Sequence, residues 1–179
     1  MIYVVCTPQN KLDKRNRVSG WHFVPLERKA KEEWRELLAP LKDRRVQNVY
    51  ASDLDKEAAY AAGDELHIPV SVEYHFRRFN PGKFHAKPMG VLDDSLRRVE
   101  EQWRENPDIP IKEGDSLTSY KKRFIANFEK LLDKESDCLF VTDVRSIAVI
   151  RDGFNTHSLI PNGNPVNVKK IFIVARKAE

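Results

Sequence analysis

Short apolar runs alternate with amphipathic helical segments along most of this chain, and that alternation limits the folds open to it. Residues Ile2–Cys6 and Cys138–Thr142 are almost entirely apolar, as expected of strands covered on both faces of a sheet. Residues 117–132 instead place Phe124 and Phe128 at helical spacing, which predicts an amphipathic helix. Strands that alternate with helices favour a mainly parallel sheet. We therefore predict an α/β fold with three α/β/α layers, in which helices cover both faces of a mainly parallel sheet.

The segments between these elements predict one domain, 1–179, that carries a long loop and an insert. Residues 7–26 are polar and aperiodic, and a loop of this length inside a compact domain is usually functional. Residues 75–115 combine Pro81, Gly82, Pro88 and Gly90 with a charged helix, which predicts a lid-like insert. The predicted strands are Ile2–Cys6, 46–50, 70–74, Cys138–Thr142 and 171–174, and the predicted helices are 27–42, 54–66, 92–105, 117–132 and one that contains 147–150.

Composition and charge argue against several classes of protein. No apolar run approaches the ~20 residues that cross a bilayer, and residues 1–5 lack the features of a signal peptide, so we expect a cytoplasmic protein without a membrane partner. Lys and Arg number 31 against 27 Asp and Glu, a small excess that favours a solvated surface over a nucleic-acid interface. Cys6 and Cys138 suggest neither a disulfide framework nor a metal site. We expect two buried thiols, no metal and no cofactor.

Polar residues that follow three predicted strands mark the expected place of a site. Ligands of parallel α/β sheets bind beyond the carboxyl ends of the strands. The strand ends in question are Cys6-Thr7-Pro8, Ser52-Asp53-Leu54 and Thr142-Asp143-Val144.

A series of short motifs at these strand ends and in the loops carries the clearest functional signal. The motifs are Cys6-Thr7-Pro8-Gln9-Asn10, Arg17-Val18-Ser19-Gly20-Trp21, Tyr50-Ala51-Ser52-Asp53-Leu54-Asp55-Lys56-Glu57, Phe76-Arg77-Arg78-Phe79-Asn80-Pro81-Gly82, Gly114-Asp115-Ser116 and Val141-Thr142-Asp143-Val144-Arg145. They resemble, in the same order, Arg-His-Gly-Glu-Thr, Arg-Val-x-Gly-Trp, Tyr-Ser-Ser-Asp-Leu-x-Arg-Ala, Leu-Arg-Glu-x-Asn-x-Gly, Gly-Glu-Ser and Val-Thr-His-Gly-Gly of the histidine phosphatase superfamily. The resemblance runs from the first strand to about residue 150 and implies a phosphoglycerate-mutase-like fold.

The resemblance also implies which residues stand where the family keeps its phosphoryl-transfer groups. The nucleophilic histidine corresponds to Thr7, whose hydroxyl is a poor nucleophile without a neighbouring base. The second histidine corresponds to Asp143. The two phosphoryl-holding arginines correspond to Cys6 and Lys56, and a lysine lacks the guanidinium fork. The acid that protonates the leaving group corresponds to Arg78, which does not give up a proton near neutral pH.

The substitutions change the charge of the expected pocket as well as its chemistry. The family's phosphate-binding asparagine corresponds to Asp13, so Lys56 and Arg78 would face Asp13 and Asp143. Our hypothesis is that these four side chains neutralise one another in a salt-bridged cluster that fills the pocket. Arg17, Lys56 and Arg78 are the candidates for binding an anion or a partner.

Each of these residues also has a simpler structural interpretation. Thr7 is expected to be a loop residue that makes a local backbone hydrogen bond, Asp143 to cap the helix after it, and Cys6 to be a buried strand end. None of the five histidines lies at a family catalytic position, although His22 and His85 fall in predicted loops from which they could approach the pocket. The five are His22, His67, His75, His85 and His157.

The sequence is compatible with three functions. We predict a catalytically inactive histidine-phosphatase-like protein, a pseudoenzyme that acts as a binding or regulatory module for an unknown protein or anionic ligand. An alternative is a phosphoester hydrolase with altered catalytic residues, in which Asp143 serves as base for Thr7 or for a water. A second alternative is a nucleic-acid-binding module that uses the basic loop around Trp21 and His22.

Overall fold

The structure of this chain is a computed structural model that describes residues 1–26, 28–134, 137–158 and 171–175. The strands are β1 (Ile2–Cys6), β2 (Asn48–Ala51), β3 (Val70–Val72), β4 (Cys138–Thr142), β5 (Asn155–Ser158) and β6 (Ile171–Ala175). The helices are α1 (Lys11–Lys14), α2 (Arg28–Leu38), α3 (Lys56–Leu66), α4 (Met89–Glu105), α5 (Leu117–Lys134) and α6 (Val144–Gly153). Short 3-10 helices cover Ala39–Leu41, Tyr74–Phe76 and Gly82–Phe84.

The strands form one mixed, mostly parallel sheet in the order β3-β2-β4-β1-β6-β5. Strands β3, β2, β4 and β1 run parallel to one another. Strand β6 is antiparallel to β1, and β5 is antiparallel to β6. Cys6 pairs with Thr142, and Ala51 pairs with Val141. The carboxyl ends of β1, β2 and β4 therefore meet at one edge of the sheet, as the sequence predicted.

Alternation of side chains along the strands builds a core on each face of the sheet. In β1, Tyr3 and Val5 pack with α2 and α3 on one face. Ile2 and Val4 pack on the other face with the insert and with α4, α5 and α6. Successive residues of a strand point to opposite faces, so one continuous apolar run supplies both cores. The predicted three-layer α/β/α fold is confirmed.

The insert, residues 75–115, is joined to the loop 7–26 by backbone hydrogen bonds. The Val18 amide donates to the carbonyl of Lys87 at 3.0 Å, the Ala86 amide donates to the carbonyl of Val18 at 2.9 Å, and the Met89 amide donates to the carbonyl of Asn16 at 2.8 Å. These two segments follow different strands, and together they form one wall above the carboxyl edge of the sheet.

Several element boundaries differ from the sequence predictions. Helix α4 begins three residues earlier than predicted, directly after Pro88, whose extended backbone precedes the first helical turn. The stretch 7–26 contains the short helix α1, which Asn10 caps by accepting from the amides of Leu12 and Asp13. Strand β5 was not predicted, because its sequence is polar and it pairs only at the sheet edge. Residues 161–165, Pro-Asn-Gly-Asn-Pro, are typical of a turn and lie outside the described residues.

Among the described residues, every helix is too short or too polar to span a bilayer.

Candidate functional site

A cavity of about 690 Å³ lies between the carboxyl edge of the sheet, the loop 7–26, helix α2 and the insert. Its lining has two parts of different chemistry. The polar floor consists of Cys6, Thr7, Asp13, Arg78 and Asp143, and the apolar wall consists of Phe79, Phe84, Leu96, Val99, Trp103 and Ile111. The predicted position of the site, beyond the strand ends, is therefore occupied by a cavity of ligand size.

Cys6 and Thr7 reach the floor because they end strand β1. The Thr7 amide donates to the carbonyl of Thr142 at 2.7 Å, which extends the β1–β4 pairing by one residue. Cys6 is 8% exposed, so the predicted buried strand end is confirmed. Burial, followed by the negative charges of Asp143 and Asp55, raises the pKa of the Cys6 thiol to about 12. The thiol is therefore neutral at physiological pH and is not a nucleophile.

We expect this thiol to resist alkylation. Because the raised pKa keeps Cys6 protonated up to about pH 12, iodoacetamide at pH 8 should label it far more slowly in the folded protein than in urea. Mass spectrometry of the labelled peptides measures both rates, and buried Cys138 gives an internal reference. Rapid labelling of Cys6 in the folded protein, with Cys138 unlabelled, would contradict this description of the floor.

Arg78 is buried in the floor and is bound to Asp55, which the sequence analysis placed in a motif but did not identify as a site residue. Arg78 is 8% exposed, and its Nη2 donates to Asp55, whose side chain is 1% exposed. The Ser52 hydroxyl donates to the other oxygen of Asp55 at 2.7 Å. Burial opposes the charge of Arg78, but Asp55, Asp143 and Asp13 outweigh it and raise the pKa of the guanidinium. Nε of Arg78 has no hydrogen-bond partner among the described residues.

Asp13 and Asp143 are held by local hydrogen bonds, and neither forms an ion pair with another residue that the structure describes. Asp13 accepts from the Ser19 hydroxyl at 2.7 Å and from the Asn10 amide at 3.0 Å. Asp143 accepts from the Ser146 hydroxyl and from the amides at the start of α6, so the predicted helix cap is confirmed. Both carboxylates act electrostatically on Arg78. Three carboxylates thus surround one guanidinium, and the hypothesis of four mutually paired side chains is replaced by one pair, Arg78–Asp55, with two further acids nearby.

Lys56 does not take part in the floor. Its side chain is exposed, and its Nζ lies 5.1 Å from the centre of the Phe23 ring, outside the cavity lining. Helix α3 begins at Lys56, and adjacent helical residues point about 100° apart, so Asp55 faces inward while Lys56 faces solvent. A serine three residues before an acid at the start of an alanine-rich helix is the signal that could have revealed Asp55.

The three candidates for anion binding are consequently not assembled into one site. Arg17 and Arg78 line the same cavity, but Lys56 does not. Nη1 of Arg17 donates to the carbonyl of Ala86 at 2.8 Å, which ties the loop 7–26 to the insert.

The aromatic and histidine side chains of the loop are engaged in packing. Nε1 of Trp21 donates to the carbonyl of Arg78 at 2.7 Å, and the guanidiniums of Arg77 and Arg123 lie 5.0 and 5.3 Å from the centre of its ring. The rings of His22 and His85 stack with centres 4.0 Å apart.

Neither histidine of this stack belongs to the cavity lining, and among the described residues no histidine does. His22 instead borders a cleft of about 10 Å³ shared with Thr7, Asp55 and Arg78. In the part of the chain that the structure describes, no three His, Cys, Asp or Glu side chains are grouped to hold a metal ion.

Solved structures with the same fold include several phosphatases. A mycobacterial glucosyl-3-phosphoglycerate phosphatase in complex with VO3 has a TM-score of 0.74 at 14% identity, over 97% of this chain and 96% of that chain. The alpha-ribazole phosphatase from Shigella flexneri has a TM-score of 0.65 at 17% identity, over 82% of this chain and 75% of that chain. YhfR from Bacillus stearothermophilus has a TM-score of 0.72 at 17% identity, over 84% and 77%. At these identities the likeness concerns the fold.

A comparison of sequences extends this likeness from fold to family. A search of curated proteins found no match. The profile of the histidine phosphatase superfamily (branch 1), however, matches residues 2–159. Because that match covers most of the chain, this chain belongs to the histidine phosphatase superfamily.

Proposed function

We propose that this protein is a catalytically inactive, phosphatase-like member of its superfamily that uses its cavity to bind a ligand or partner. The observation that carries the proposal is the composition of the polar floor, in which no histidine of the described residues takes part. We also propose that the protein is cytoplasmic, as the sequence led us to expect.

The floor lacks an activated nucleophile. The Thr7 hydroxyl needs a base that removes its proton. Asp143 accepts from Ser146 and from the first turn of α6, and Asp13 accepts from Ser19 and Asn10. Among the described residues, neither carboxylate accepts a hydrogen bond from the Thr7 hydroxyl, so no base is in place to activate it. Cys6 is neutral because burial raises its pKa. These features support the loss of phosphoryl transfer.

The floor is also unfavourable for a phosphate group. Phosphoryl-transfer sites hold their substrate with cationic groups that stabilise its negative charge. Here the Arg78 guanidinium is bound to Asp55, and Asp13 and Asp143 add two further negative charges. A phosphate dianion placed beside Thr7 would be repelled by more carboxylates than the guanidinium offsets.

The test is a turnover assay that separates the protein's own activity from that of a contaminant. We expect no release of phosphate from a panel of phosphomonoesters above the level of a Thr7→Val variant purified in the same way. Val matches the shape of Thr and removes the hydroxyl. A mycobacterial glucosyl-3-phosphoglycerate phosphatase serves as the positive control. Turnover by the unmodified protein that Thr7→Val abolishes would overturn the proposal and favour the altered hydrolase.

A further inference from the structure

The cavity is larger and more apolar than binding of a small anion requires. Its volume of about 690 Å³ falls within the range of pockets for organic ligands. The apolar wall includes two aromatic side chains that are fixed by their own packing, since Phe79 and Trp103 meet edge to face with ring centres 5.4 Å apart. Nε1 of Trp103 donates to the carbonyl of Ile109, which orients the indole. A ring-bearing or aliphatic body fits such a wall.

The polar floor carries net negative charge. The charge of Arg78 is offset by Asp55, which leaves the carboxylates of Asp13 and Asp143 facing the cavity. Both are partly buried, and charges in that setting are screened less by salt than exposed ones. The pKa of Cys6 reflects the same excess of negative charge. Asp143, Asp55 and Asp13 all raise the pKa of the thiol, whereas Arg78 lowers it.

The cationic side chains of the lining other than Arg78 are exposed to solvent. They are Lys14, Arg17, Lys29 and Arg145. Arg17 donates to a backbone carbonyl of the insert, and the Arg145 guanidinium lies 5.0 Å from the centre of the Phe79 ring. Two exposed acids of the lining, Glu33 and Glu100, accompany these cations.

We propose that this cavity binds an amphipathic organic amine, with its ammonium group between Asp13 and Asp143 and its apolar body against Phe79, Phe84 and Trp103. The inference rests on the proposed function, because it takes the cavity as a binding site rather than a phosphoryl-transfer site.

A matched set of small probes tests the inference. Phenylalaninol, phenylpropanol, phenylpropanoate and phenylpropyl phosphate share an aromatic body and differ in the charge of the polar end. We expect phenylalaninol to bind at least about tenfold more tightly than phenylpropanol, because a charge-assisted hydrogen bond is added. Both anions should bind more weakly than phenylpropanol. Isothermal titration calorimetry measures all four dissociation constants.

Two variants locate the bound probe. Asp143→Asn keeps a side chain that caps helices well and removes one charge, so it should weaken phenylalaninol several-fold and leave phenylpropanol unchanged. Trp103→Leu should weaken both. Absence of phenylalaninol binding at millimolar concentration, equal binding of amine and alcohol, or preference for either anion would overturn the inference. Binding of phenylpropyl phosphate without its hydrolysis would leave the proposed function standing, whereas its hydrolysis would refute that function instead.

Discussion

Replacing Asp55 with Ala is expected to lower the free energy of unfolding by about 3–5 kcal/mol, because Arg78 would keep its charge in a buried site without its hydrogen-bonded carboxylate. The Asp55 side chain is 1% exposed, so little water reaches the guanidinium from that side. The Ser52 hydroxyl would lose its acceptor at the same time. Urea denaturation followed by tryptophan fluorescence measures the change.

Two further variants show whether the loss comes from the unpaired charge. The pair Arg77–Asp53 lies nearby but is partly exposed, so Asp53→Ala should cost only about 0–1 kcal/mol. The double variant Asp55→Leu/Arg78→Met removes both charges and should recover most of the stability that Asp55→Ala loses. If Asp55→Ala were no more damaging than Asp53→Ala, the Arg78–Asp55 pair would not be the buried ion pair described above.

Replacing Gly82 with Ala is expected to cost about 2–4 kcal/mol, from backbone strain and from overlap with neighbouring backbone. Gly82 has a φ of 50°, a left-handed conformation that side chains disfavour. A Cβ atom there would collide with the carbonyl oxygen of Lys112 and lie 2.7 Å from the amide nitrogen of Gly114. This close approach joins Gly82 to residues 112–114, near the two ends of the segment that carries the apolar wall. The Gly82→Ala variant should therefore also bind apolar probes more weakly.

Gly90 provides the matched control for this prediction. It lies in the same insert, in the first turn of α4, and a Cβ atom there would meet nothing within 4 Å. Gly90→Ala should therefore leave stability unchanged or raise it slightly, since alanine favours the helix. Equal stability of the Gly82→Ala and Gly90→Ala variants would show that the two backbone segments are not in contact.

The fold followed from the sequence wherever an apolar pattern was continuous. Strands β1 and β4 match the predicted bounds because their central position in the sheet demands apolar residues on both faces. Strand β5 lacks such a pattern, because β6 is its only partner among the described strands. Helix α2 ends at Leu38, and Pro40 lies in the 3-10 turn that follows, as a proline inside a helical pattern would predict.

The site was predicted less completely, since motif spacing does not say which of two adjacent side chains faces inward. The resemblance drew attention to Lys56, yet Asp55 is the residue that is buried and bound to Arg78. Cys6 and Asp143 behave as their local sequence indicates, one as a strand end and the other as a helix cap. Partners distant in sequence, such as Arg78 for Asp55, required the structure.

A search for a phosphorylated intermediate tests the proposed function most directly, because the superfamily's fold is retained here and no imidazole of the described side chains lines the cavity. The purified protein is incubated with an acyl phosphate donor, and its intact mass is measured beside that of the mycobacterial phosphatase used as positive control. We expect the mass of this protein to stay unchanged. The control should gain the mass of a phosphoryl group. A phosphorylated species that maps to Thr7, His22 or any residue of the polar floor would contradict it.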